Sequence, residues 1–119
     1  MPANDDCAIL HGQVVTALSL RDLQQALSDG GIAARVGESS HYTTGYYVGI
    51  RSGSVSLEFE KITATEYLVG GDGDSVEEMR FFIADVSRIL LNLRLKHRFE
   101  IYFPHDHLAA YLHYDWPQI

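Results

Sequence analysis

Apolar residues recur along this chain with two different periods, and the switches between them mark its elements. Cys7 to Leu10 is apolar and is followed by His11-Gly12, which predicts a first strand and a turn, with the strand able to continue through Val14 and Val15. Ser19 then stands as a helix N-cap, with Asp22 in the first turn where a carboxylate suits the helix dipole. Leu20, Leu23 and Leu27 repeat at helical spacing, and Asp29-Gly30-Gly31 ends that helix.

From Ile32 to Val69 the period falls to two. Tyr46, Val48 and Ile50 alternate with Tyr47, Gly49 and Arg51. Ser52-Gly53 is a turn, and Val55, Leu57 and Phe59 then alternate with Ser56, Glu58 and Glu60, which predicts an antiparallel hairpin. Tyr67-Leu68-Val69 predicts another strand, and the run Gly70-Gly71-Asp72-Gly73-Asp74 reads as a loop. The second helix is the clearest element. Ser75 and Glu78 have capping-box spacing, and Val76, Met79, Phe82, Ile83, Val86, Ile89, Leu90 and Leu93 form one apolar face. Arg88, Arg94 and Lys96 cluster toward its C-terminal end. Phe99, Ile101 and Phe103 alternate with Glu100 and Tyr102. After a turn at Pro104-His105-Asp106, Leu108, Ala110, Leu112, Tyr114 and Trp116 alternate with Ala109, Tyr111, His113 and Asp115 to make a closing hairpin. Residues 1–6 read as a short disordered lead. The order strand, helix, strands, helix, two strands predicts one α+β domain over 1–119: a two-layer sandwich of a mostly antiparallel sheet of about six or seven strands with two helices on one face.

The 119 residues fit one domain, and the apolar fraction of 46% is enough to build a core. Sixteen acidic against nine basic residues give a formal charge of −7, which disfavours direct nucleic-acid binding and docking on an anionic membrane and favours a basic partner. Cys7 is the only cysteine, so an internal disulfide is impossible and a reducing compartment is expected. The N-terminal residues lack the order of a signal peptide, and no apolar run has the length of a membrane span; the expected location is cytoplasmic.

Candidate chemistry is sparse. His105 and His107 flank Asp106, with His113 and Asp115 following, but two histidines are not a metal site, and His11, His41 and His97 add no HxxxH spacing. A metal-dependent hydrolase around His105, His107 and His113 is therefore the weakest of the readings, and no metal or cofactor is expected. The glycine run precedes a helix N-terminus, yet its two carboxylates and Glu77 and Glu78 would repel phosphate, and the twelve-residue calcium pattern is missing. The serines have no GxSxG context, and Glu58/Glu60 share a strand side as exposed acids commonly do, so no catalytic residue is expected. What remains is a surface. If the apolar parity faces the helices, the opposite sheet face gathers Tyr47, Glu58, Glu60, Glu100, Tyr102, Tyr111, His113 and Asp115, tempered by Arg51 and Arg98. Tyrosines supply rigid contact area and carboxylates select a basic partner.

The segment from Lys96 to Tyr102 followed by Ala110-Tyr111-Leu112-His113-Tyr114-Asp115-Trp116-Pro117 resembles the ending of small bacterial toxin-immunity proteins, and Ala8-Ile9-Leu10-His11-Gly12 through Leu20-Arg21-Asp22-Leu23 resembles the first strand and helix of barstar-like inhibitors. The β-rich stretch after the first helix departs from barstar-like chains, and no inhibitory residue of that family is carried over. The resemblance implies a non-enzymatic protein that neutralises a cognate toxin domain by binding it and occluding its active site. The alternative is an ACT-like regulatory module, suggested by a helix leading into Gly31-Ile32-Ala33-Ala34-Arg35-Val36, that binds a small molecule and dimerises through its sheet.

Overall fold

A computed structural model of the chain describes residues 7–42 and 44–117; the lead assigned above to residues 1–6 lies outside them. Strand β1 (Ala8–Val15) is followed by helix α1 (Leu20–Asp29), then β2 (Ala34–Glu38), β3 (Tyr46–Ser52), β4 (Val55–Thr63), β5 (Glu66–Gly73), helix α2 (Val76–Asn92), β6 (Lys96–Phe103) and β7 (His107–Tyr114). The strands form one antiparallel sheet in the order β2-β3-β4-β5-β1-β6-β7. The two-layer α+β architecture read from the periodicity is the one observed, with α1 against β2 and β3 and α2 against β6 and β7.

The core lies between the layers. Leu10, Val14, Val48, Leu57, Phe59, Val69, Phe99 and Ile101 point from the sheet toward Leu23 and Leu27 of α1 and Met79, Ile83, Val86 and Leu90 of α2, and all are buried. Truncating a ring as enclosed as Phe59 or Phe99 to alanine is expected to cost about 3–5 kcal/mol, the usual range for a large buried aromatic. Tyr67 shares this face and donates its buried hydroxyl to the Leu18 carbonyl at 2.7 Å; desolvation, with Asp22 nearby, pushes its pKa up to about 12.

Three features differ from the sequence reading. His11-Gly12 is not a turn but the middle of β1. A Cβ at residue 12 would sit 2.5 Å from Phe99 Cδ1 and 2.8 Å from the Arg98 carbonyl, so the glycine is there to let β6 and its ring close on the strand. The run Gly70-Gly71-Asp72-Gly73 is not a loop but the second half of β5, held between β1 and β4. Gly71 is small because a Cβ there would meet the Ser56 carbonyl at 2.3 Å, and at Gly73 it would meet Val55 at 3.2 Å beneath α2. Ser75 does cap α2, accepting the Glu78 N–H at 3.0 Å, but the Glu78 carboxylate does not reach back to close a capping box. It accepts instead from the N–H and hydroxyl of Ser54 at 3.1 and 2.7 Å, which fastens the helix to the β3–β4 turn and lowers the Glu78 pKa. Gly53 in that turn has φ 59°, a left-handed conformation, and the space of its missing Cβ is taken by Glu78.

Candidate functional site: the open face of the sheet

Because both helices cover one side, the other side of the sheet is uncovered, and strand register decides what stands on it. One row runs Gly49–Glu58–Gly70–His11–Glu100–Tyr111 across β3, β4, β5, β1, β6 and β7. The next row runs Glu60–Leu68–Gln13–Arg98–His113, and on the other side Arg51–Ser56–Asp72–Ile9–Tyr102–Leu108. At about 4.8 Å between strands and about 6.8 Å between rows, these positions span roughly 24 Å across the sheet and some 14 Å along it.

The structure therefore brings Glu58, Glu60, Glu100, Tyr102, Tyr111 and His113 onto one face, and Tyr47 joins them next to Gly49 on β3. Asp115 is separated from them. β7 ends at Tyr114, and Asp115 takes φ 57°, so the alternation that would have continued through it is broken. The same turn reverses the expected side of Trp116. Instead of facing the helices, its ring lies against the cations of Arg98 at 5.3 Å and Lys96 at 5.5 Å, at the end of the open face. Phe103, read as a core residue, lies at the end of β6 and is 39% exposed.

The half of the face on β1, β6 and β7 is a connected network. Arg98 donates from Nε to the Gln13 side-chain oxygen at 2.8 Å and from a terminal nitrogen to Glu100 at 2.8 Å. Tyr102 donates its hydroxyl to the other Glu100 oxygen at 3.0 Å, which raises the Tyr102 pKa, and its ring meets His11 edge-on at 5.8 Å. Tyr111 and His113 stack at 5.0 Å. Glu100 is thus held by two donors.

The half on β3, β4 and β5 is built differently. The β2–β3 loop brings Tyr42 over the sheet, where its hydroxyl donates to Glu58; burial first, and then that carboxylate, raise the Tyr42 pKa. The Tyr42 ring lies 5.5 Å from Tyr47, and Arg35 lies 5.9 Å from Tyr47. Among the described residues the ion pairs are Arg98–Glu100 and the exposed Arg88–Asp85, so Glu58, Glu60 and Asp72 carry carboxylates with no cation against them. Between Glu58 and His11, Gly70 leaves the floor of the sheet bare, and a Cβ there would meet nothing within 4 Å. Tyr42, Arg35 and Gly70 are not among the site residues that the sequence singles out. The first two sit on a loop and an edge strand whose parity the sequence leaves open, and Gly70 fell within the run taken as a loop.

The histidine cluster does not form. His107 and His113 lie six residues apart on one extended strand, about 20 Å, and His105 is in the hairpin turn. Among the described residues no three His, Cys, Asp or Glu side chains converge as metal ligands, and no helix is long and apolar enough to cross a membrane. Cys7, half-buried ahead of β1, is a free thiol. The fold and face define a class, an α+β sandwich with one sheet side left open. No family model matches the chain, and comparison with curated proteins and with solved structures returns no match.

Proposed function

We propose that this chain is a non-enzymatic immunity-type protein of the bacterial cytoplasm that binds a cognate toxin domain and occludes its active site. The observation that carries the reading is the open sheet face, on which three tyrosines and three carboxylates stand in adjacent rows around a bare glycine floor. A face of about 24 by 14 Å makes up under half of the roughly 800 Å² that one partner contributes to a stable complex, so the Tyr42 loop and the rim beside it would complete the contact. Aromatic anchors and fixed carboxylates suit the basic surface of a protein partner, and the formal charge of −7 steers such a partner inward. The ending around Tyr111 and Tyr114 resembles that of immunity proteins, which agrees with the same class.

The test is titration calorimetry of the purified chain against the toxin domain encoded beside it, together with survival of cells expressing that toxin. Tyr111→Ala and Glu60→Lys should each weaken binding at least tenfold and reduce protection, while their melting temperatures stay near that of the parent. Undiminished affinity in both variants removes the open face as the binding surface. Absence of any complex with the neighbouring gene product removes the immunity reading.

A further inference from the structure

The two edges of the sheet are unlike each other. β2 is short, five residues, and carries Arg35 and Glu38, the kind of charge that blunts an edge against further pairing. β7 runs for eight residues, His107-Leu-Ala-Ala-Tyr-Leu-His-Tyr114, with no lysine, arginine, carboxylate or proline. Alongside it, α2 and β7 enclose a groove of about 500 Å³ between Glu77, Arg80, Phe81 and Ala84 on the helix and residues 109–112 on the strand. Phe81 is 74% exposed there. Among the described residues Phe81 belongs neither to the core cluster nor to the partly buried hydrophobics packed against it, so most of its ring faces solvent in the monomer.

We infer that β7 and the α2 groove form a homodimer interface, in which β7 pairs antiparallel with β7 of a second copy to give one continuous fourteen-stranded sheet. This inference does not depend on the toxin-binding reading, since it uses the edge and helix side rather than the open face. An antiparallel pair related by a two-fold axis must have that axis normal to the sheet, which keeps both α2 helices on the same side. With strands about 4.8 Å apart and α2 over β6 and β7, the two helix axes come to lie roughly 10–14 Å apart. Directly packed helices approach to about 8–10 Å, so the seam between them needs large side chains to fill it, and Phe81 of each copy projects into it.

Charge and area agree with a second copy as the occupant. With no lysine, arginine or carboxylate on it, the strand meets itself without placing such like charges opposite each other. Glu77 and Arg80 both line the groove and, among the described residues, neither has an ion-pair partner in its own chain, so each can face the other across the axis. The contact strip is about 27 Å long for eight paired residues and about 20 Å deep through sheet and helix layers, or roughly 1,100 Å² over both copies. That lies at the lower limit for a specific complex and fits a dimer of micromolar strength. A lone extended peptide would satisfy the strand edge but leave Phe81 and the helix side of the groove in water.

Sedimentation equilibrium on the full chain, from about 1 to about 300 µM, reads this directly. The mass should rise from 13.3 kDa toward twice that value with concentration. Phe81→Glu and Arg80→Glu should each raise the dissociation constant at least tenfold, and combining Arg80→Glu with Glu77→Arg should recover most of the Arg80→Glu loss. Both positions are exposed on α2, so circular dichroism and melting should be unchanged. A monomer at every concentration overturns the proposal, whether β7 stays free or awaits a strand from another protein. A dimer indifferent to Phe81→Glu and Arg80→Glu overturns it too, because association then uses another surface.

Discussion

His97 shows how far one side chain's state can be fixed by its surroundings. Its ring is fully buried between α2 and β7, Nδ1 donates to the Leu95 carbonyl at 2.8 Å, and Nε2 accepts from the Ser87 hydroxyl at 2.6 Å. The carbonyl can only accept, so Nδ1 carries a proton, and desolvation above all, with nearby His113 adding to it, holds the pKa below 6.5 and favours the neutral ring. As pH falls below 6.5 the unfolded chain takes up a proton that the folded chain refuses. Stability attributable to this group is therefore complete above that pH and declines below it, by at most about 1.4 kcal/mol per pH unit for one proton. Urea melts at pH 8 and pH 5 should show the loss, and His97→Gln, though less stable at pH 8, should show a flatter dependence; an equally steep variant would mean other groups cause it. Two glycines make a paired prediction. Gly12→Ala drives a methyl group into Phe99 and the Arg98 carbonyl and should destabilise by about 1–3 kcal/mol. Gly70→Ala meets no atom and should leave stability within about 0.5 kcal/mol of the parent, yet, if the open face is the proposed toxin-binding surface, weaken binding by obstructing the floor beside Glu58. Equal melting losses in the two variants would contradict this account of the glycines.

At the scale of elements, the junction of α2 with the β3–β4 turn carries a second acid-sensitive contact. Ser54 donates twice to Glu78 and its hydroxyl also accepts from the Asp74 N–H at 2.9 Å, so hairpin, strand end and helix N-terminus meet at one serine. The Glu78 pKa is lowered by those bonds, so its contribution is present above about pH 4.5 and is lost as pH drops through the lowered value, a window below that of His97. Ser75→Ala removes the cap to the Glu78 N–H and should cost about 0.5–2 kcal/mol; Glu78→Gln should shift the melting temperature less at pH 3 than at pH 7. Both are read by thermal melts. This junction also shows which parts of the fold were legible beforehand. Helix α2 announced itself through its 3.6-residue apolar face, and β3–β4 through strict alternation, because in each case burial on one side imposes the period. β5 was not legible past Val69. Gly71 and Gly73 are demanded by neighbours far along the chain, Ser56 and Val55, and to local reasoning three glycines in four residues look like a turn. The Glu78 side chain chose Ser54 over its own cap for the same reason: the better donors arrive from another element.

For the molecule as a whole, parity placed seven of the eight candidate residues on the uncovered face, and the eighth was lost where Asp115 left the strand conformation. What the alternation of residues could not provide was the state of those side chains. Glu100 is already paired with Arg98 and Tyr102, while among the described residues Glu60 and Asp72 form no ion pair, so on the proposed reading the two halves of the face should contribute to binding in different ways. On the proposed toxin-binding reading, the carboxylates without a cation would act at a distance and govern how often a basic toxin arrives in the right orientation, while the half-buried, prepositioned rings would govern how long it stays. Raising salt from about 50 to about 500 mM shortens the Debye length from roughly 14 Å to about 4 Å, and the association rate of the complex should fall at least tenfold while dissociation changes little. Glu60→Lys should lower the association rate at low salt and flatten its salt dependence. Tyr111→Ala should leave association nearly unchanged and speed dissociation. Stopped-flow and surface-plasmon measurements separate the two rates. If Glu60→Lys acted wholly on dissociation, or Tyr111→Ala wholly on association, the division of labour between the halves of the sheet would be reversed, and the toxin would have to seat its basic groups over the Tyr42–Glu58 corner rather than be steered from outside it.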